Sequence, residues 1–166
     1  MRRLFAASAI SAVLVFSQAG GTAASHTGLL FGASARVAIT ITKYKFDPAV
    51  ITVQAGTPVD LVMENTGIIS HVFMVYPEPK KPLKGTGEWW DYVLANTYLK
   101  DMGEILVHTR REFFVAGTRV SEVGVEPGKK VTLTFTPGRK GTFEIGCHLQ
   151  APDHYALGMK AKLIVK

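Results

Sequence analysis

Between residues 36 and 43 the chain alternates Val37, Ile39 and Ile41 against Ala38, Thr40 and Thr42, the two-residue period of a strand with one buried face. Residues 50–54 are β-branched and lie between Asp47-Pro48 and Ala55-Gly56. Segments 58–64, 71–76, 119–125, 129–136, 141–147 and 160–166 are built in the same style, and Asn65-Thr66-Gly67, Pro127-Gly128 and Pro137-Gly138 supply turns between them. Many short strands bounded by turn chemistry predict an all-β, Greek-key β-sandwich. Residues 77–117 depart from this pattern. A loop rich in Pro, Lys and Gly leads into residues 88–106, where Trp89, Val93, Leu94, Tyr98 and Met102 recur at helical spacing. That spacing predicts a short helix and flap inserted between two strands, with the apolar stripe packed on the sandwich.

The N-terminus has a different character. Arg2 and Arg3 precede an apolar run over residues 4–16, and small residues follow, ending at Thr22-Ala23-Ala24. This is the layout of a secretory signal, and the apolar run is short for a bilayer span. The chain is therefore read as a signal peptide or N-terminal anchor over residues 1–24 and one domain over 25–166, placed in the periplasm and touching a membrane only if the leader stays uncleaved. At 166 residues the chain suits one domain. Of its 19 Lys and Arg, two lie in the leader, so 17 face 13 acids in the domain, a net charge of +4. That modest excess is dispersed, and Lys80, Lys81 and Lys84 read as a solvated loop, which speaks against a nucleic-acid partner.

A lone cysteine, Cys147, cannot close an intramolecular disulfide, so in an oxidising compartment it calls for a role. Its neighbours suggest one. In GTFEIGCHLQAPDHYALGMKAKLIVK, residues 141–166, a strand ends at Cys147 and a loop carrying His154 and Met159 returns as the last strand. One Cys, two His and a weak axial Met suit a mononuclear electron-transfer copper site, because soft sulfur favours Cu(I) while imidazole serves both oxidation states. The second His must come from elsewhere, and His71, opening a strand just after the Asn65-Thr66-Gly67 turn, is the best placed. His148 follows Cys147 directly and should point to the opposite face of an extended strand. His108, beside Thr109, Arg110 and Arg111, reads as a surface histidine, and His26 with Ser25 as no more than an adventitious Cu(II) binder.

The sequence resembles the cupredoxins, the plastocyanin, azurin and rusticyanin group, over residues 36–166, most strongly at NTGIISH (65–71) and from Cys147 to Val165. The resemblance implies a type 1-like site for one copper ion, cycling between Cu(I) and Cu(II), with His71, Cys147, His154 and Met159 as ligands. It also implies a monomeric, non-enzymatic carrier of single electrons in a respiratory chain, with a c-type cytochrome, a terminal oxidase or another periplasmic oxidoreductase as partner. Two departures stand out. The stretch from Cys147 to His154 is longer than usual and resembles the long-loop cupredoxins of acidophilic, oxidase-linked respiratory chains. Val72 stands where the family commonly has Asn or Ser to lock the ligand loop, a task Ser70 or Thr66 could assume. In this reading Pro152 stiffens the loop, Gly158 allows a close turn beside Met159, and His154, flanked by Tyr155, Ala156 and Leu157, is the electron port. Enzymatic copper centres fit less well: the chain has no His-x-His pair for a multicopper oxidase or copper nitrite reductase, and no second Cys for a binuclear centre. Copper delivery, or an accessory role beside a cytochrome oxidase, is the alternative.

Overall fold

The computed structural model describes residues 34–100, 102, 104–109, 113–115, 120–149 and 154–166. Among them the chain forms two sheets. The first has the order β2-β1-β4-β9-β6-β7, from β1 (Ala35–Thr42), β2 (Lys45–Asp47), β4 (Val59–Asn65), β6 (Leu106–Thr109), β7 (Phe113–Val115) and β9 (Lys130–Phe135). The second has the order β3-β11-β10-β5-β8, from β3 (Val50–Val53), β5 (His71–Tyr76), β8 (Val123–Val125), β10 (Gly141–Gly146) and β11 (Lys160–Val165). Pairs β1/β4 and β3/β11 are parallel and the rest antiparallel. Because the chain switches sheet between β2 and β6 at every step, each strand's apolar face meets one from the other sheet.

The period-two pattern builds the core directly. Ile39 and Ile41 of β1, Leu133 and Phe135 of β9, and Leu163 and Val165 of β11 are buried, while their neighbours are wholly or partly exposed. Phe46 and Phe73, from opposite sheets, meet edge to face with ring centroids 5.9 Å apart. Truncating a buried Phe of this kind to Ala costs about 3–5 kcal/mol. Strand β5 is buried at all six residues, the continuous apolar run of a strand covered on both faces. Its outer cover is α1 (Gly85–Asn96), whose Trp89 and Tyr92 rings lie 5.7 and 6.3 Å from that of Tyr76. Tyr92 Oη also donates to the Pro77 carbonyl at 2.9 Å.

The sandwich and its inserted helix agree with the sequence reading, but several details differ. The helix stops at Asn96 instead of continuing towards residue 106, so Tyr98 and Met102 lie outside it and Leu94 is 45% exposed. Thr97 takes non-helical dihedrals, donates its hydroxyl to the Val120 carbonyl at 2.7 Å and accepts the Leu99 N–H at 3.2 Å. Tyr98 N–H then bonds to Val75 O at 2.7 Å, and its ring packs on Phe143 with centroids 4.1 Å apart. Apolar spacing alone could not reveal that a β-branched hydroxyl residue diverts the chain here. In place of a flap, the antiparallel pair β6/β7 extends the first sheet through β9. The short strand β2 was not anticipated, and β8 is shorter than the 119–125 expected. The leader, His26, Arg110, Arg111, Pro152 and Asp153 lie outside the described residues. Among the described residues no helix is long and apolar enough to cross a membrane.

Candidate metal centre

Three of the four residues singled out in the sequence converge at one end of the sandwich. His71 is the first residue of β5, Cys147 follows β10, and His154 lies on the connection from β10 to β11. All three are buried, and one donor atom from each lies within 4.8 Å of the others. Cys147 Sγ is 3.4 Å from His154 Nδ1 and 3.9 Å from His71 Nδ1. These separations are shorter than two metal–ligand bonds of about 2.0–2.3 Å placed end to end, so a single ion fits between the donors. Both imidazoles turn Nδ1 towards the sulfur.

Met159 joins them through the backbone. It is fully buried, its N–H bonds to His154 O at 3.0 Å, and its carbonyl accepts the Cys147 N–H at 3.3 Å. Leu157 N–H to His154 O (3.1 Å) and Gly158 N–H to Tyr155 O (3.0 Å) complete a compact turn. Gly158 holds φ +98° there, a conformation glycine adopts without the penalty a Cβ brings.

Burial, and after it the charge of neighbouring His154, lower the His71 pKa to about 4, with the Thr42 backbone opposing. At neutral pH His71 is therefore an uncharged imidazole with a lone pair free for a metal. Its Nε2 is buried. The His71 and His154 rings lie 5.1 Å apart, and Tyr44 covers His154 edge-on at 5.1 Å.

The upstream loop is locked by different groups from those the family pattern suggests. Val72 contributes its backbone, its N–H pointing to Cys147 Sγ at 3.4 Å. Fully buried Asn65 bridges two loops: Nδ2 donates to Ile69 O (2.8 Å) and Val125 O (2.9 Å), and Oδ1 accepts the Gly67 N–H (2.9 Å). Thr66 Oγ1 donates to Ile41 O at 3.2 Å, and Ser70 Oγ bonds to Glu126. Asn followed two residues later by Gly was readable as a turn. That the same amide also reaches β8, sixty residues away, was not.

Cys147 and His148 point to opposite faces, as alternation requires. His148 lies outside the donor cluster, buried, with Nε2 hydrogen-bonded to Tyr76 Oη at 2.7 Å. Of the aromatic residues around it, Tyr155 was expected beside the electron port, but Tyr76 and Trp89 were not recognised as part of the site from the sequence. Buried Glu144 was likewise missed; it accepts from Tyr155 Oη at 2.7 Å and pairs with Lys162.

A β-sandwich of this topology with a buried His–Cys–His donor set at its end has the cupredoxin fold, and the donors suit one copper ion, since soft thiolate favours Cu(I) and imidazole also binds copper. The chain thus has a cupredoxin-like fold with a donor set suited to copper. It is 27% identical over 180 residues to the copper-resistant cuproprotein CopI of Pseudomonas aeruginosa, covering 99% of this chain and 98% of that protein. Reduced auracyanin from the photosynthetic bacterium Roseiflexus castenholzii superposes with a TM-score of 0.53 at 20% identity, over 81% of this chain and 99% of that one. A multicopper oxidase from Campylobacter jejuni shares the fold at a TM-score of 0.52 and 13% identity, over 81% of this chain, which spans 30% of the oxidase. No protein-family model matches the chain.

Proposed function

We propose that the chain is a periplasmic electron carrier, not an enzyme, in which His71, Cys147, His154 and Met159 hold one copper ion. The observation that carries this reading is that one donor atom each from His71, Cys147 and His154, all buried, lies within 4.8 Å of the others. Bound copper would supply a one-electron Cu(I)/Cu(II) couple. The protein's part is to keep the donors nearly still: both imidazoles are fixed in buried positions, the sulfur receives the Val72 N–H, and Met159 is tied by its backbone to both Cys147 and His154. A site that moves little between oxidation states exchanges electrons with little rearrangement. Leu157, 45% exposed, and Ile68, 89% exposed, lie on the two loops that carry the donors. Small apolar contacts of that kind suit transient redox partners. The partners in this reading are a c-type cytochrome, a terminal oxidase or both, met by a monomer.

A second reading, copper handling or delivery in copper resistance, is favoured by the end-to-end similarity to CopI. Stopped-flow mixing of the copper-loaded protein with a reduced c-type cytochrome separates the two. Rapid electron exchange is expected, whereas slow exchange with ready transfer of copper to an apo acceptor would reverse the order. Cys147→Ser should abolish the intense visible absorption of the Cu(II) form; if it persists, the thiolate is not a ligand.

A further inference from the structure

On the outer face of the second sheet, Trp89, His148 and Tyr155 form a triangle of touching rings. Their centroids lie 4.4 Å (Trp89–His148), 4.8 Å (His148–Tyr155) and 4.9 Å (Trp89–Tyr155) apart, and two of the three pairs are stacked. We propose that this triangle is a clamp that positions the copper-ligand loop, and that the inserted helix belongs to the metal site because it supplies Trp89. The proposal rests on the copper reading above and assigns a role to residues outside the donor set.

The argument begins with chain position. His148 directly follows Cys147 and Tyr155 directly follows His154, so the immediate neighbours of two donors are stacked on each other and on α1. Packing these rings together restrains the backbone on either side of both donors. Each corner is also anchored to the sheet. His148 bonds to buried Tyr76 on β5. Tyr155 Oη donates to Glu144 on β10, and Glu144 pairs with Lys162 directly across the β10/β11 ladder. Lys160 Nζ sits 5.3 Å from the Tyr155 ring centroid, within cation–π reach. Trp89 rides on a helix held to β5 by Tyr92 and by the Tyr76 ring.

The sheet is shaped to admit this cluster. Gly146 shares the outer face with Glu144 and His148, and a Cβ there would lie 2.3 Å from Tyr76 Oη, 3.0 Å from Tyr155 Cδ2 and 3.1 Å from His148 Nε2. A residue with a side chain would fill the space in which three members of the cluster meet. The long connection thus has two attachments: its donors face the end of the sandwich, and Tyr155 is pinned to the outside of the sheet.

The test uses the full-length chain, first metal-free and then copper-loaded. In the metal-free protein, Trp89→Leu should speed amide exchange at Leu157, Gly158 and Met159 about tenfold, the factor given by losing about 1.4 kcal/mol of ring contact. Amides of β9 should keep their wild-type rates. Trp90→Leu, beside it in the helix but outside the triangle, should leave the loop amides unchanged. Tyr155→Leu should act like Trp89→Leu, and Tyr155→Phe, which keeps the ring, should restore most of the protection. With copper bound, the same two Leu variants should shift the Cu(II) paramagnetic resonance spectrum and the potential, and Tyr155→Phe should stay near wild type. Unchanged loop exchange in Trp89→Leu, or acceleration spread evenly over β9 as well, would overturn the clamp. If Trp89→Leu does not fold, the contrast between Tyr155→Leu and Tyr155→Phe decides the matter on the same amides. A wild-type protein lacking a thiolate copper spectrum would sink the functional reading instead, while the metal-free exchange still judges the clamp.

Discussion

Replacing Gly146 with Ala tests how tightly the outer face of β10 is built. The new Cβ would come within 2.3 Å of Tyr76 Oη, well inside van der Waals contact, and Tyr76 is fully buried with nowhere to retreat. Overpacking of this kind costs about 1–3 kcal/mol. Displacing Tyr76 would also break its 2.7 Å bond to buried His148, and losing a hydrogen bond costs about 0.5–1.5 kcal/mol more. The smaller backbone entropy of Ala in a strand returns roughly 0.5–1 kcal/mol. The net loss is about 2 kcal/mol, roughly 7 °C in unfolding midpoint for a domain of this size. Urea and thermal unfolding of the metal-free protein, followed by circular dichroism, would measure it. A double-mutant cycle with Tyr76→Phe sharpens the result, because removing the hydroxyl opens room for the Cβ and the two losses should fall short of additive. An unchanged midpoint for Gly146→Ala, or simple additivity with Tyr76→Phe, would refute the reasoning.

Asn65→Ala removes three hydrogen bonds from a buried amide and should cost about 2–4 kcal/mol. Copper affinity, read by competition with a chelator, should fall with it because the amide fixes the loop that aims His71. The Lys162 pKa is raised, first by its hydrogen bond to Glu144 and then by Glu78, against partial burial. A lysine whose folded pKa exceeds its unfolded one stabilises the fold at pH below the unfolded value of 10.5 and loses that contribution as pH rises through the folded value. Lys162→Met should therefore flatten the alkaline end of the stability curve measured by urea titration; an unchanged slope there would discount the pair, which solvent already weakens at a side chain 37% exposed. Met159→Ala should keep copper and shift its potential by voltammetry, whereas outright loss of the metal would point to another ligand set.

The sandwich was legible because alternation is a local signal: Val37, Ile39 and Ile41 announce a half-buried strand without reference to anything distant. The meeting of His71, Cys147 and His154 was legible because Cys147 and His154 share one connection and His71 opens a strand after a clear turn. Features that depend on long-range contacts were not. Thr97 ends the helix by bonding to Val120, Asn65 spans to Val125, and Val72 serves the sulfur through a backbone N–H that no side-chain pattern encodes. Trp89 looked like one apolar residue of a helical stripe, and Glu144 like an ordinary polar position on a strand. Their roles emerge only when α1, β10 and the returning loop are brought together.

Strand β10 carries two sets of instructions, one on each face. Its odd residues, Phe143 and Ile145, lead into the core and on to Cys147, while its even residues, Glu144 and Gly146, lead to His148 and the ring cluster. A one-residue insertion or deletion between Gly141 and Gly146 would exchange the faces, aiming the imidazole of His148 at the donor cavity and the thiol at Trp89. Metal chemistry and loop anchorage would fail together. Such a strand tolerates substitution on either face far better than any change in its length, so natural variation in this protein should concentrate in the connections and leave the count of residues in β10 untouched.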